Sequence, residues 1–395
     1  MCRLNPTQDS TSKIHKISWI NFWLGDLGND TVSAEWAVFF GEDFKNESSM
    51  NREEFISKTN ECLDYVRRHC VGCKLFYKPH PGETYEQELL NLSGFEILKN
   101  AGISETFLWR NAPNVKYTFS IRSTSALSAY QMGFNSYVFF KIFDKIFHNK
   151  IATEFTRAWF KGLPPSSCIE DIDQRTLENK IKLNEDTKFK GDMGELLADN
   201  AGNIWIIVDH TGFLVSIISI VKLIKKLDNS RRINLVIMRH HRWNVLDLSE
   251  FNLFFNKIII FSRVFYSLKP GKLFNAIKIS RKIKNLDIGA DDIIIDFGNH
   301  NFISNCFNSY YKNNSKIAFM PKVLEDVYFK TNYLGFLDSG DDFKFTKASF
   351  FYNKLFEPLL GLHRTVFKQG GDGHVGNLLR FQKPVTDIYD KVYLF

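Results

Sequence analysis

The run Lys78-Pro79-His80-Pro81 sets an imidazole between two prolines, directly after the apolar stretch that begins at Lys74. A proline on each side restricts the backbone and holds the ring in one direction. A neutral imidazole can donate a hydrogen bond to a phosphate oxygen, and Lys78 adds positive charge beside it. Further along, Ser123-Thr124-Ser125 opens a helix-compatible run. Hydroxyls and the unpaired N–H groups of a helix start form a cradle for an anion. Each run also has a plainer explanation: a histidine that only closes a strand end, and ordinary N-capping by Ser or Thr.

The second half offers carboxylates at comparable places. Asp209-His210-Thr211-Gly212 follows the strongly apolar Ile204 to Val208. A carboxylate there can act as base, nucleophile or acceptor of a substrate hydroxyl, or simply cap the next helix. Asp296-Phe-Gly-Asn-His300 ends another apolar run and suits acceptor binding or turn closure. In Gly370-Gly371-Asp372-Gly373-His374 the glycines allow close ligand approach around Asp372 and His374, although a plain surface loop has the same composition. Arg239 and Arg242, in Met238-Arg-His-His-Arg-Trp243, can grip a phosphate or a carboxylate. The chain has no GxxxxGK[ST] loop, which disfavours an ATPase-type phosphate site. No metal and no other cofactor is expected. Cys62, Cys70 and Cys73 lack the partners of a zinc set and read as ordinary reduced thiols, and the metal scheme built on an Asp-x-Asp pair is set aside.

These residues need elements to position them, and strand and helix patterns alternate along the chain. Glu35 to Gly41, Lys74 to Lys78, Val115 to Phe119 and Tyr137 to Phe140 read as strands, with a helical stripe from Asn51 to His69. The lead up to Lys16 is polar, and residues 160–200 form a polar connector. A second series follows, with strands at Ile204–Val208, Ile233–Met238, Lys257–Phe261, Asp292–Asp296, Lys316–Phe319 and Val392–Leu394, and helices at Gly212–Leu227 and Lys272–Ile283. The expected fold is α/β, with two Rossmann-like domains over residues 1–200 and 201–395 and a ligand gap between them.

Composition agrees with that size. In 395 residues, 44% hydrophobic and 24% charged content excludes a disordered or collagen-like chain. The net charge of +7 is unevenly spread: Lys222 to Lys284 carries fifteen Lys/Arg against three Asp/Glu. Such a block attracts anionic lipid, nucleic acid or a polyanionic substrate, or is a solvated helix face. No nucleic-acid-reading module accompanies it, so specific nucleic-acid binding is not expected. The apolar stretch Ile204 to Ile224 contains Asp209, which argues for a strand and a helix over a membrane span. The N-terminal residues lack the apolar run of a signal peptide, so a cytoplasmic location is expected, with peripheral membrane attachment through the basic block.

Taken together, Tyr77-Lys-Pro-His-Pro81 and Ser123-Thr-Ser-Ala-Leu127, with Gly133 beyond, resemble the His-Pro and paired-hydroxyl motifs of bacterial glycosyltransferases that use CMP-activated acidic sugars. These are the sialyltransferases and Kdo transferases of surface polysaccharides such as lipopolysaccharide and capsule. Related motifs occur in CDP-glycerol and CDP-ribitol phosphotransferases. The resemblance implies a GT-B-like architecture in which Lys78, His80, Pro81, Ser123, Thr124 and Ser125 surround the CMP phosphate. It implies a CMP-sugar donor and a glycan or lipid-linked glycan acceptor. The family's Asp-Asp-Gly turn has its nearest match in Gly371-Asp372-Gly373. The donor motifs come first in this chain, a reversed or circularly permuted order similar to the retaining β-Kdo transferases. That similarity implies an aspartate that carries the sugar, Asp209 first and Asp372 second, with His210 beside it. Arg239, Arg242, Asp296 and His374 fall to substrate binding. A noncatalytic glycan- or nucleic-acid-binding module is the alternative of a different class.

Overall fold

The computed structural model describes residues 14–16, 34–42, 51–80, 83, 86–99, 102–143, 146, 160, 163–173, 177, 187–208, 213–239, 249–264, 268–297, 302–320, 355–362, 366–368, 379–381 and 388–394. The chain divides into a smaller unit, Ser18–Glu185, and a larger one, Met1–Ile17 with Asp186–Phe395.

Strand β1, Ile14–Lys16, belongs to the larger unit. The smaller unit is a five-stranded parallel sheet of β2 (Trp36–Phe40), β3 (Lys74–Lys78), β4 (Phe95–Ile97), β5 (Val115–Ser120) and β6 (Asn135–Val138), in the order β4-β3-β2-β5-β6. Helix α1, Arg52–His69, joins β2 to β3. Its start is fixed by Asn51, whose side chain accepts the Glu54 N–H at 3.3 Å, with Glu53 and Glu54 in the first turn. It ends in Arg67, Arg68 and His69, which suit the negative end of the helix. Helix α2, Ser104–Arg110, leads to β5, and α3, Thr124–Gln131, leads from β5 to β6.

Alternation along the strands sorts the sheet into two faces. One carries Ala37, Phe39, Tyr77, Tyr117, Phe119, Tyr137 and Phe139 against Phe55, Cys62, Leu63 and Val66 of α1. Phe119 stacks on Tyr137 at 5.4 Å and Phe39 on Tyr77 at 5.9 Å. Each buried Phe contributes about 1.5–3 kcal/mol, so this aromatic layer is the main anchor of the unit. On the other face Ala126 and Leu127 of α3 pack with Val138, Phe140 and Phe160.

The larger unit holds α4 (Thr187–Asp199), β7 (Ile204–Val208), α5 (Leu214–Leu227), β8 (Ile233–Arg239), β9 (Lys257–Ser262), α6 (Pro270–Lys284), β10 (Ile293–Asp296), α7 (Phe302–Tyr310) and β11 (Ser315–Met320). An antiparallel ribbon of β12 (Val366–Lys368) and β13 (Leu379–Phe381) precedes β14 (Lys391–Leu394). The seven-stranded sheet is parallel throughout, in the order β1-β14-β11-β10-β7-β8-β9. The last residues of the polar N-terminal lead join this sheet: Ile14, His15 and Lys16 pair with Val392, Tyr393 and Leu394. Within the apolar stretch, Ile204–Val208 is a fully buried strand and Leu214–Leu227 is a helix, so it divides as the sequence reading expects. Among the described residues no helix is long and apolar enough to cross a membrane.

A buried carboxylate sets the start of β10. Asp292 accepts the Asn203 N–H at 2.7 Å, the Trp205 indole N–H at 2.9 Å and the Gly289 N–H at 3.1 Å. Gly202 lies so close that an added Cβ would come within 2.5 Å of the Asp291 carbonyl, which is backbone and cannot turn away.

Candidate functional site

In both sheets the strand order reverses beside the first strand of the series, between β2 and β5 and between β7 and β10. Open α/β sheets bind ligands at the carboxyl ends of the strands flanking such a point. In the smaller unit, Phe40 pairs with Lys78 on one side and with Ser120 on the other. The His80 turn and the Ser123 turn therefore leave the same edge of the sheet, one strand apart on either side of β2. At about 4.8 Å per strand, their roots lie about 10 Å apart, a gap that a phosphate and two side chains can fill.

The His80 turn is built by a residue the motif reading overlooked. Glu83 is buried; its N–H donates to the His80 carbonyl at 2.9 Å, and its Oε2 accepts the His80 N–H at 2.6 Å. Its Oε1 accepts the hydroxyl of Tyr77. Gly41, just past β2, donates its N–H to the Lys78 carbonyl at 2.9 Å. A Cβ at Gly41 would fall 2.6 Å from the Tyr77 hydroxyl oxygen and closer still to Glu83 Oε2. Glycine at 41 thus admits the carboxylate that shapes the His80 turn, and His80 itself stays half-buried at its tip.

Lys78 is 6% exposed. Burial pushes its ammonium below the ordinary lysine range, while Glu105 and Glu83 pull the other way. Glu105, on α2, is itself buried and accepts the Ser128 hydroxyl at 3.0 Å. The charge of Lys78 is thus shared with two carboxylates inside the unit.

At the second turn, Ser123 is the N-cap of α3, and its Oγ accepts the Ser125 N–H at 3.2 Å. The plain capping role is therefore present, and the Ser123 hydroxyl hydrogen remains available to donate. Thr124 is the first residue of α3, and Ser125 is half-buried. Just before them, Arg122 pairs with Glu42 at 3.3 Å, both side chains only 12% exposed, which ties the loops after β5 and β2 together. Ser120 closes β5 fully buried, and among the described residues its Oγ has no hydrogen-bond partner.

In the larger unit, Asp296 ends β10 and Arg239 ends β8. Asp296 is 1% exposed; it accepts the Ser304 hydroxyl at 3.1 Å and the Tyr389 hydroxyl at 2.6 Å, and Asn308 donates to that Tyr389 oxygen at 2.9 Å. This network ties β10, α7 and the approach to β14 together. Asn305, on α7, is 1% exposed, and among the described residues neither of its amide atoms has a hydrogen-bond partner. Pro81, Asp209, His210, Arg242, Asp372 and His374 lie outside the described residues.

Among the described residues no group of three His, Cys, Asp or Glu could hold a metal ion. The chain does spell an Asp-x-Asp pair, Asp171-Ile172-Asp173, contrary to the sequence reading that set this scheme aside. Its first carboxylate accepts the Asp173 N–H at 3.0 Å, a local turn. Cys62, Cys70, Cys73, Cys168 and Cys306 are free thiols.

Comparison with known proteins adds little to this picture. A family model described as "BAFF-R, TALL-1 binding" matches residues 58–83, from α1 through β3 to the His80 turn, a small part of the chain. No curated protein matches. A solved structure, "Structure of the Wall Teichoic Acid Polymerase TagF", is similar at 11% identity over 75% of this chain and 72% of that one, with a TM-score of 0.16. A likeness that slight carries no conclusion about fold or chemistry.

Proposed function

We propose that the chain is a transferase acting on a cytidine-nucleotide donor, whose phosphate sits between the His80 turn and the Ser123–Ser125 turn. The supporting observation is the register of the smaller sheet, which gives Phe40 both Lys78 and Ser120 as neighbours and so roots both turns at one edge. His80 and the hydroxyls of Ser123 and Ser125 would donate to the phosphate as negative charge builds on the departing CMP. The donor we favour is a CMP-activated acidic sugar, Kdo or sialic acid, and the acceptor a glycan or lipid-linked glycan on the cytoplasmic side. The bond from the anomeric carbon to the phosphate oxygen breaks, and CMP leaves with the electron pair. In a retaining course Asp209 or Asp372 bonds to that carbon as CMP leaves, and the acceptor oxygen, giving up its proton, then displaces the aspartate; in an inverting course the acceptor oxygen bonds to the carbon directly as CMP leaves, and one of these aspartates takes its proton. No metal is required by this scheme.

The same motifs suit a CDP-glycerol or CDP-ribitol phosphotransferase, in which the acceptor attacks phosphorus instead of carbon. CMP release measured separately from CMP-Kdo, CMP-sialic acid and CDP-glycerol decides between them. Turnover of a CMP-sugar supports sugar transfer, turnover of CDP-glycerol alone supports phosphotransfer, and neither turnover nor CMP binding leaves a noncatalytic module. In the active case His80→Ala is expected to slow CMP release about 10²-fold, as removal of one donor to a charged transition state does. Unchanged kinetics would refute the phosphate assignment.

A further inference from the structure

Helix α6 turns Ala276, Ile279, Ser280 and Ile283 inward. Phe274, Lys278, Arg281, Lys282 and Asn285, on its opposite stripe, line a shallow surface groove. Phe274 is 70% exposed, and Leu268, just before the helix, is 48% exposed. From Phe251 to Lys284 the sequence carries eight Lys/Arg and no Asp or Glu. Among the described residues Lys278, Arg281 and Lys282 form no ion pair, whereas Lys284 lies over the Tyr310 ring at 5.8 Å.

We propose that this stripe docks the protein on an anionic lipid bilayer, with the α6 axis in the plane of the headgroups. Lys278, Arg281 and Lys282 would lie at the level of the lipid phosphates, and Phe274 would sink to the acyl boundary. A basic face alone attracts nucleic acid and lipid equally. Exposed Leu268 beside Phe274 separates the two, because a nucleic-acid base can stack on an aromatic ring whereas an aliphatic side chain finds an apolar medium only in a bilayer. The inference stands apart from the donor site, which lies in the other unit.

Flotation of the full chain with vesicles tests it. Binding is expected to vesicles rich in phosphatidylglycerol and not to pure phosphatidylcholine, and to weaken as salt rises. Each of Lys278→Gln, Arg281→Gln and Lys282→Gln should lower partitioning about fivefold, and the triple variant about a hundredfold. Phe274→Ser should lower it about tenfold. All four side chains are exposed, so thermal unfolding should stay unchanged, and the single variants serve if the triple one fails to fold. Equal binding by wild type and these variants, or no preference for anionic vesicles, overturns the proposal. So does tight binding of single-stranded RNA that the triple variant loses and Phe274→Ser keeps, with vesicles ignored.

Discussion

Replacing Gly41 by alanine tests how the His80 turn is held. The new methyl group would lie 2.6 Å from the Tyr77 hydroxyl and 3.0 Å from Glu83 Cδ, with Glu83 Oε2 nearer still. Glu83 cannot swing away without releasing both the His80 N–H and the Tyr77 hydroxyl. Hydrogen bonds to a charged group contribute about 1.5–3 kcal/mol each, so losing both costs about 3 kcal/mol or more. This outweighs the gain of about 0.4–1 kcal/mol that Gly→Ala gives through the unfolded chain. Glu83→Ala alone should cost a similar amount, because it removes the same two bonds. In that background the two nearest Glu83 atoms are gone and the Tyr77 oxygen remains close to the methyl group, so Gly41→Ala should add only about 1 kcal/mol, a coupling of about 2 kcal/mol. Urea unfolding of the wild type, both single variants and the double variant measures it. Additive losses, near 6 kcal/mol in total on the same per-bond values, would show that Gly41 and Glu83 act separately.

Tyr389→Phe removes a hydrogen bond to the buried Asp296 and should destabilise the protein by about 1–3 kcal/mol in urea unfolding, while Tyr393→Phe, whose hydroxyl meets a part-exposed Asp192, should cost less; equal costs would contradict this network. Gly202→Ala has backbone to displace and should be costlier than Gly271→Ala, which meets open space; similar unfolding midpoints would contradict this. Burial pushes the Cys70 thiol from its usual 9.0 to about 12, and Cys62 and Cys306 well above 9.0. Between those values the folded chain keeps protons that the unfolded chain has released, so stability is complete below pH 9 and falls as pH rises toward 12. The slope is about 1.4 kcal/mol per pH unit for each such thiol, opposed in part by Lys78, whose lowered value favours the folded state as pH climbs. Cys70→Ala should therefore flatten the loss between pH 8 and 10 by about 1 kcal/mol, and an unchanged slope would remove Cys70 from the explanation.

The strands were legible because their cores are nearly continuous apolar runs: Ile204-Trp-Ile-Ile-Val208 admits no other buried reading. Ser123 was legible as a helix start because capping is local chemistry, and Gly133, at φ +90°, marks where α3 stops. Glu83 was not, since its partners Tyr77 and Gly41 meet it through turn geometry and a close approach that leave no periodic trace. The strand at Ile14–Lys16 escaped for a related reason: three residues with two polar ones carry no alternation, and only pairing with the far end of the chain makes them a strand. Asp296 reads as a site residue because it ends a strand. Nothing nearby in sequence announces that Tyr389, ninety-three residues away, takes one of its oxygens.

A crystal structure of the chain with CMP bound tests the phosphate site most directly. The phosphate should lie between the two turns, about 3 Å from a ring nitrogen of His80 and from a hydroxyl of Ser123 or Ser125. CMP bound elsewhere, or touching one turn with the other pointing away, would contradict it.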